Sequence, residues 1–487
     1  MQHKSLIKSV FWVTLSEIIF NLSGYVIHSV SGRILGPADY GRYSLVVTLT
    51  TMVIVLIGNG IPTAMSKYLS EVFEKRPGMV SVIKKKALRI QVILVLGITA
   101  IFFFLSPVIA RILGDPTLTS LFQLSTLIIP SFAAASFYFY YFTGLHEFNI
   151  QSILKTLRSV ARMALIGFLA FYFAVEGAVS VYILAPIIVF LVGFFLDKFW
   201  IGKKYSQEEK EATFDWKKLV NYAWPFTLFL LFYELFITID LYLVKAILRD
   251  DYLTGIYNGA LTVGRLPYYL FYALVVVLLP VISKTTSEED RKKTFQIISE
   301  TLRLMLVLLF PAVAILIFFA RPVLSIFYGF GYSEATLPMM ILLPGVAFLT
   351  IFYVMSFVMN GAGKVKIPMY LSILGFILNA ILNIIFIRKW GIAGSALATT
   401  LASLVASIGM LFYVGRHFAV FPKIKSVLKI ILASALLSLA ATFLPKNIYS
   451  LFWGSALLLS LYGGILILLG EIKKDDLAIV KKLARKK

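Results

Sequence analysis

The sequence predicts an all-α integral membrane protein with about fourteen transmembrane helices, arranged as two parallel six-helix repeats plus two C-terminal helices. Three observations predict it: an apolar content that no soluble core can hide, a duplicated set of motifs, and basic residues sorted to one side of the spans. Of 487 residues, 60% are hydrophobic and 15% aromatic, and the mean hydropathy is +0.89, beyond the apolar share of soluble domains. Apolar stretches of about 20 residues, long enough to cross a roughly 30 Å hydrocarbon layer as helices, recur throughout. The expected spans are 10–32, 42–65, 88–112, 118–143, 150–174, 178–200, 219–247, 253–282, 298–320, 336–360, 367–387, 392–415, 427–444 and 448–470. A β-barrel would alternate apolar and polar residues over strands of about ten, whereas the run 92–105 is apolar on every side. The first apolar run contains Glu17, Asn21 and His28, and no small-x-small cleavage pattern follows it, so it reads as a retained helix and not a signal peptide.

The stretch 17–71 recurs at 234–288. Glu17, Tyr25 and His28 have counterparts in Glu234, Tyr242 and Lys245; Gly41 and Tyr43 match Gly255 and Tyr257; I-P-T-A-M-S-K-Y-L-S-E matches L-P-V-I-S-K-T-T-S-E. The spacing that carries Gly41 onto Gly255 also carries Pro130 onto Pro344, Ala133 onto Ala347 and Gly177 onto Gly391, while G-L-H-E-F-N-I from Gly144 resembles G-A-G-K-V-K-I from Gly361 with a three-residue slip. Because each repeat has an even number of helices, the second inserts in the same orientation as the first. The expected organisation is a six-helix lobe at 1–204, a cytoplasmic linker at 205–217, a second lobe at 218–420, and helices 13 and 14 with a basic tail at 421–487. The natural place for a site is between the repeats.

A net charge of +22 would suggest nucleic acid in a soluble protein, but in a membrane protein the basic residues are first sorted by loop. Roughly 36 of the 46 Lys and Arg fall on the side shared by both termini, which places both termini in the cytoplasm and excludes nucleic acid as the partner. These runs set topology and attract anionic headgroups of membrane lipids. The chain has no cysteine, hence no disulfide, thiol chemistry or Cys-based metal site.

Ionisable groups inside spans are costly and face a cavity or a partner. Glu17, Asn21, Gly24 and His28 fall at i, i+4, i+7 and i+11 of the first span, and Glu234, Thr238 and Lys245 repeat the pattern in the seventh. Arg265 is the basic residue placed deepest in a span, as far beyond the turn near Asp250 as Glu234 lies before it; cavity lining and a structural ion pair with Glu234 are both open. Asp240 is off the stripe and reads as structural. Arg89, Arg158, Arg162 and Arg303 lie near the expected cytoplasmic ends and are expected to snorkel to headgroup level, with the lining of an inward mouth as the alternative. Pro225, Pro267, Pro311 and Pro344 are expected to interrupt helices, and Asn379 and Asn383 to bond to a neighbouring helix.

Several chemistries fail on spacing. G-A-G-K at 361–364 lacks the earlier glycine and the Ser or Thr of a phosphate loop. Four His with no pair at i, i+4 give zinc hydrolysis no support. The acidic turn at Arg249, Asp250 and Asp251 reads as solvated sooner than as a divalent-ion site. No cofactor is expected.

The segment V-S-G-R-I-L-G-P-A-D-Y-G-R-Y-S-L from Val30 to Leu45, followed by G-I-P-T-A-M-S-K-Y-L-S-E, resembles the polysaccharide-export, oligosaccharide-flippase branch of the multidrug, oligosaccharidyl-lipid and polysaccharide (MOP) exporter superfamily. The resemblance covers essentially the whole chain. It implies a V-shaped, two-lobed transporter in the cell membrane that flips polyprenyl-linked oligosaccharide, with glycan-assembly enzymes as candidate partners. A sugar diphosphate cannot cross hydrocarbon unaided, whereas its polyprenyl tail never leaves it, so such a carrier shelters the head alone. On this reading Arg265, Lys245 and His28 meet the anionic head, Asn21 and Thr238 line the cavity, and Glu17 and Glu234 are proton or sodium sites that reset the carrier. Cation-coupled multidrug efflux, suggested by the same carboxylates, is the alternative within the superfamily. A membrane glycosyltransferase or polymerase is disfavoured because no external loop exceeds about 15 residues.

Overall fold

The computed structural model describes residues 2–58, 60–205, 214–269, 271, 278, 282–283, 285–286, 290–420 and 424–472. Most of the expected linker (206–213), much of the motif closing the second repeat (279–281, 284, 287–288), the residues 421–423 and the basic tail (473–487) lie outside the described residues. The described chain is helical, with no strand among the described residues. Long apolar runs take this form because in hydrocarbon each backbone N–H and C=O must be satisfied within its own segment.

The helices are α1 (Gln2–Gly58), α2 (Ile61–Val72), α3 (Gly78–Ile112), α4 (Leu118–Ser125), α5 (Ile128–Gly144), α6 (Phe148–Leu196), α7 (Lys217–Leu248), α8 (Asp251–Gly264), α9 (Arg291–Phe318), α10 (Ala320–Tyr328), α11 (Thr336–Gly361), α12 (Lys366–Phe418), α13 (Ile424–Ala441) and α14 (Ile448–Leu468). Three of them each contain two expected spans. α1 breaks at Gly36 (φ 71°, ψ 173°), α6 at Phe173 and Ala174, and α12 at Gly391. Twelve residues of straight helix rise about 18 Å, yet His28 Nδ1 lies 3.0 Å from the Tyr40 hydroxyl, so the chain doubles back at Gly36. Joined in this way, the predicted pairs 10–32/42–65, 150–174/178–200 and 367–387/392–415 are helical hairpins with almost no loop.

The expected span 253–282 is interrupted at the Arg265 turn just before Pro267, as expected. The helices containing Pro311 and Pro344, α9 and α11, are instead unbroken, because neighbouring turns and side chains re-satisfy the freed groups; near Pro344, the Thr400 hydroxyl donates to the Ile341 carbonyl at 2.7 Å. The register of the duplication also shifts. Ala174 (φ 45°, ψ −128°) has the conformation of Gly391 (φ 56°, ψ −137°). A Cβ added to Gly177 would stand 1.9 Å from the Leu169 carbonyl oxygen, and one added to Gly394 2.1 Å from that of Phe386. Ala174 is therefore equivalent to Gly391 and Gly177 to Gly394. The three-residue slip that begins at Gly144 and Gly361 persists through both hairpins.

The chain divides into two compact units, Met1–Asn258 and Gly259–Lys487. In the first, α1 packs along α6, α5 and α7, with α2 between α3 and α5. Its core includes Met65, Leu69, Ile83, Tyr141 and Phe142. α3 is peripheral: 17% of its most apolar window is buried, and Ile93, Leu96 and Phe104 point outward. In the second unit α11 is central, with 78% of its window buried, and α12 packs along it. There α13 and α14 pack on α9, tied by Glu471, which accepts from Arg303 Nε at 3.1 Å and from the Ser426 hydroxyl. Arg303 is thus engaged by a carboxylate at the ends of α13 and α14.

Candidate functional site

The first limb of α6 carries Lys155, Arg158 and Arg162 at i, i+3 and i+7, which puts three cations on one face. Among the described residues α1 supplies the one carboxylate paired with them: Glu17 forms an ion pair with Lys155. Aromatic rings hold the arginines. The Arg158 guanidinium lies over Phe20 at 4.6 Å, Phe132 at 4.9 Å and Phe139 at 5.4 Å from the centroids. That of Arg162 lies 4.6 Å over Tyr182 and 5.8 Å from Phe20, and donates to the Tyr182 hydroxyl at 3.2 Å. Such stacking suits a planar, weakly hydrated cation. The two side chains are 6% and 8% exposed, so neither snorkels; rings of α1, α5 and the second limb of α6 enclose them first. Among the described residues neither forms an ion pair with a carboxylate, and the Nε of each is buried without a hydrogen-bond partner.

A chain of hydroxyls extends this row. Tyr43 donates to Tyr182 at 3.1 Å, its ring lies 6.0 Å from that of Tyr40, and the Tyr40 hydroxyl meets His28 Nδ1 and the Asn258 amide, both at 3.0 Å. Glu17 and His28, placed on one stripe by the sequence, thus lie at the two ends of a row of basic, aromatic and hydroxyl side chains. Asn21 bonds back to the Glu17 carbonyl at 2.9 Å, and Thr238 does the same to the Glu234 carbonyl at 2.6 Å. This i−4 back-bonding is shared by both copies. Glu234 is half-buried. Asp240 is fully buried and accepts from the Tyr257 hydroxyl at 2.8 Å. Arg265 lies at the turn that ends α8. It belongs to the second unit and Glu234 to the first.

Lys245 sits elsewhere in the first unit. It is 3% exposed and held between Asp115, at 3.2 Å, and Asp251. Asp250 caps α8, accepting from Leu253 N at 3.0 Å. The acidic turn is therefore committed to an ion pair and a helix start. Burial alone would raise the Asp115 pKa, but hydrogen bonds from Thr117 and Lys245 and the Lys245 charge outweigh it and lower the pKa. The stabilisation is present at neutral pH and is lost as acid titrates Asp115 below the ordinary carboxylate range. Beside this cluster the signature glycines meet. A Cβ on Gly41 would stand 2.2 Å from the Asp251 carbonyl oxygen, and one on Gly255 1.8 Å from that of Pro37. The two copies of the motif thus cross backbone to backbone, which requires glycine at both positions. Among the described residues no cluster of three or more His, Asp or Glu is arranged to hold a metal.

Lys155, Arg158 and Arg162 escaped the sequence-based site. The available signal was their shared helical face inside an apolar span.

Comparison with known proteins agrees with this architecture. A family model described as polysaccharide biosynthesis protein matches residues 6–286, and one described as MatE matches 238–385. Among curated proteins, an uncharacterized membrane protein, MJ1375, of Methanocaldococcus jannaschii is 25% identical, over 82% of this chain and 95% of its own. The lipid II flippase MurJ of Bacillus subtilis is 23% identical, over 89% of this chain and 87% of its own. Among solved structures, an inward closed conformation of lipid II flippase MurJ superposes with a TM-score of 0.74 at 18% identity, over 97% of this chain and 100% of that one. With more than half of its length matched by the first model, this membrane-integral chain belongs to the polysaccharide biosynthesis protein family, in the flippase branch of the MOP exporter superfamily.

Proposed function

We propose that the protein translocates lipid-linked oligosaccharide across the cell membrane by alternating access, as a carrier and not an enzyme, with both termini cytoplasmic. One observation carries the reading: two buried arginines, Arg158 and Arg162, face aromatic rings with no carboxylate in ion-pair contact among the described residues. Burying an uncompensated cation is expensive, and a site that does so is built for an anion that arrives from outside. The diphosphate of a polyprenyl-linked sugar is such an anion, and the similarity to a lipid II flippase supports the choice.

Planar guanidinium groups donate two parallel hydrogen bonds to a phosphate, and the aromatic faces that position them also offer stacking surfaces to sugar rings. His28 and the Tyr40–Tyr43–Tyr182 chain continue the polar lining, with Asn21 alongside. Thr238 is assigned to the same head-binding cavity, whereas Lys245, neutralised by two carboxylates, is assigned to holding the α7–α8 turn. Proton or sodium coupling is assigned to Glu17 and Glu234, and the glycan-assembly enzymes that load the lipid are the expected partners. Efflux of cationic drugs would call for an excess of acid, and the row has an excess of base.

The test is reconstitution in vesicles, comparing translocation of a fluorescent polyprenyl-diphosphate oligosaccharide with efflux of cationic dyes, each with and without ion gradients. Lipid-linked sugar transport that falls in an Arg158→Gln, Arg162→Gln variant supports the reading. Dye efflux without lipid-linked sugar transport refutes it. Loss of gradient dependence in Glu17→Gln, Glu234→Gln checks the coupling assignment.

A further inference from the structure

We infer that Glu17 sets the charge selectivity of the head site, and that the site is tuned to a doubly substituted diphosphate, with a sugar on one phosphate and lipid on the other, against the unglycosylated lipid diphosphate. The inference rests on the function proposed above and names a discrimination within it.

The charges in this row are few and countable. Lys155, Arg158 and Arg162 supply three positive charges on one helix face, and Glu17, bound to Lys155, cancels one. The half-buried phenol of Tyr140 beside them adds no charge. The net charge of the row is therefore two, and it resides on the pair of guanidinium groups that have no carboxylate partner among the described residues. Glu17 takes Lys155 out of play and leaves one arginine for each phosphate.

A diphosphate esterified at both ends has one ionisable oxygen per phosphorus and carries two negative charges at neutral pH. The lipid diphosphate that lacks a sugar has a free terminal phosphate, whose further dissociation lies near pH 6. It therefore carries close to three. In this row the third charge finds no free cation and is repelled by the Glu17 carboxylate. Specificity of this kind comes from repulsion of the wrong ligand as much as attraction of the right one. It would keep a carrier from moving lipid that has no sugar attached.

The row from Lys155 to Arg162 rises about 10 Å, and one unit charge acting over about that distance at an effective dielectric near 20 changes affinity by roughly tenfold. The experiment uses the full-length protein in vesicles without any ion gradient, so that coupling does not enter. Equilibrium binding of a fluorescent polyprenyl-diphosphate disaccharide is measured in competition with unglycosylated polyprenyl diphosphate at pH 7.5. The native protein is expected to prefer the disaccharide lipid. Glu17→Gln and Glu17→Ala each free Lys155 and are expected to shrink that preference about tenfold. Glu17→Asp keeps it. Glu17→Gln combined with Lys155→Met returns the row to two charges and is expected to restore it, which a merely structural role for the ion pair would not do. An assembled Glu17→Gln or Glu17→Ala protein with the native preference overturns the inference, as does a double variant that stays unselective. If neither lipid binds the native protein, the proposed function fails and not this refinement of it.

Discussion

α6 and α12 are two copies of one hairpin put to opposite uses. The shared register is visible in their cross-limb pairs. Arg162 donates to Tyr182 across α6 at 3.2 Å, and at the equivalent positions of α12 Thr399 donates to Asn379, also at 3.2 Å. Lys155, Arg158 and Arg162 in the first copy correspond to Ser372, Gly375 and Asn379 in the second. Where α6 presents cations to aromatic rings, α12 closes on itself. The Asn383 amide donates to Asn379 Oδ1 at 2.7 Å, Ser395 donates to Asn383 at 2.6 Å, and both asparagines are fully buried. The difference shows which feature belongs to the scaffold and which to the work. The turn geometry and the cross-limb pair are inherited by both copies; the uncompensated charge is found in one.

Transplanting the cation is the severest way to break this comparison. Asn379→Arg buries a charge in a network that is already satisfied, and an unpaired buried charge costs about 3–5 kcal/mol or more. Loss of monodisperse protein in size-exclusion chromatography is expected, and a well-folded variant would show that the α12 pocket is as open to charge as that of α6. The reverse loss, Arg158→Gln with Arg162→Gln, should leave assembly intact and lower transport of lipid-linked sugar. Charge-assisted hydrogen bonds worth about 1.5–3 kcal/mol each predict a fall of about a hundredfold or more.

Two smaller tests probe the scaffold itself. Gly177→Ala and Gly394→Ala each drive a Cβ into a carbonyl oxygen, and each should cost about 2–3 kcal/mol by backbone strain and displacement. Nearly equal drops in melting temperature are expected, and a large inequality would mean the hairpins are not equivalent. At the turn the copies differ, since Ala174 occupies at positive φ the conformation that Gly391 holds in the other copy. Ala174→Gly should stabilise by about 0.5–1 kcal/mol and Gly391→Ala should destabilise by at least as much, measured again as shifts in melting temperature of opposite sign.

Much of this architecture is legible in the residues. The apolar runs locate the spans because crossing hydrocarbon requires length and composition and little else, and G-R-I-L-G-P-A-D-Y-G-R-Y identifies the family because its glycines are needed where Gly41 and Gly255 touch. The hairpin turns were harder to see. Ala174 gives no turn signal, and the three-residue slip hid the match between Gly177 and Gly394. Composition, duplication and loop charge by themselves determined that the chain is a duplicated, many-spanning membrane protein, because these properties sum over local sequence, and the motif from Val30 to Leu45 carried its resemblance to the flippase branch. Which basic residues form the site was decided by tertiary structure alone. A lysine or arginine near a helix end looks the same in sequence whether it reaches for headgroups, as expected of Arg158 and Arg162, or lies under Phe20, Phe132 and Tyr182. Likewise Lys245 looks available until Asp115, far away in sequence, is folded against it. The free energy of a charge depends on what surrounds it, and its surroundings come from other helices.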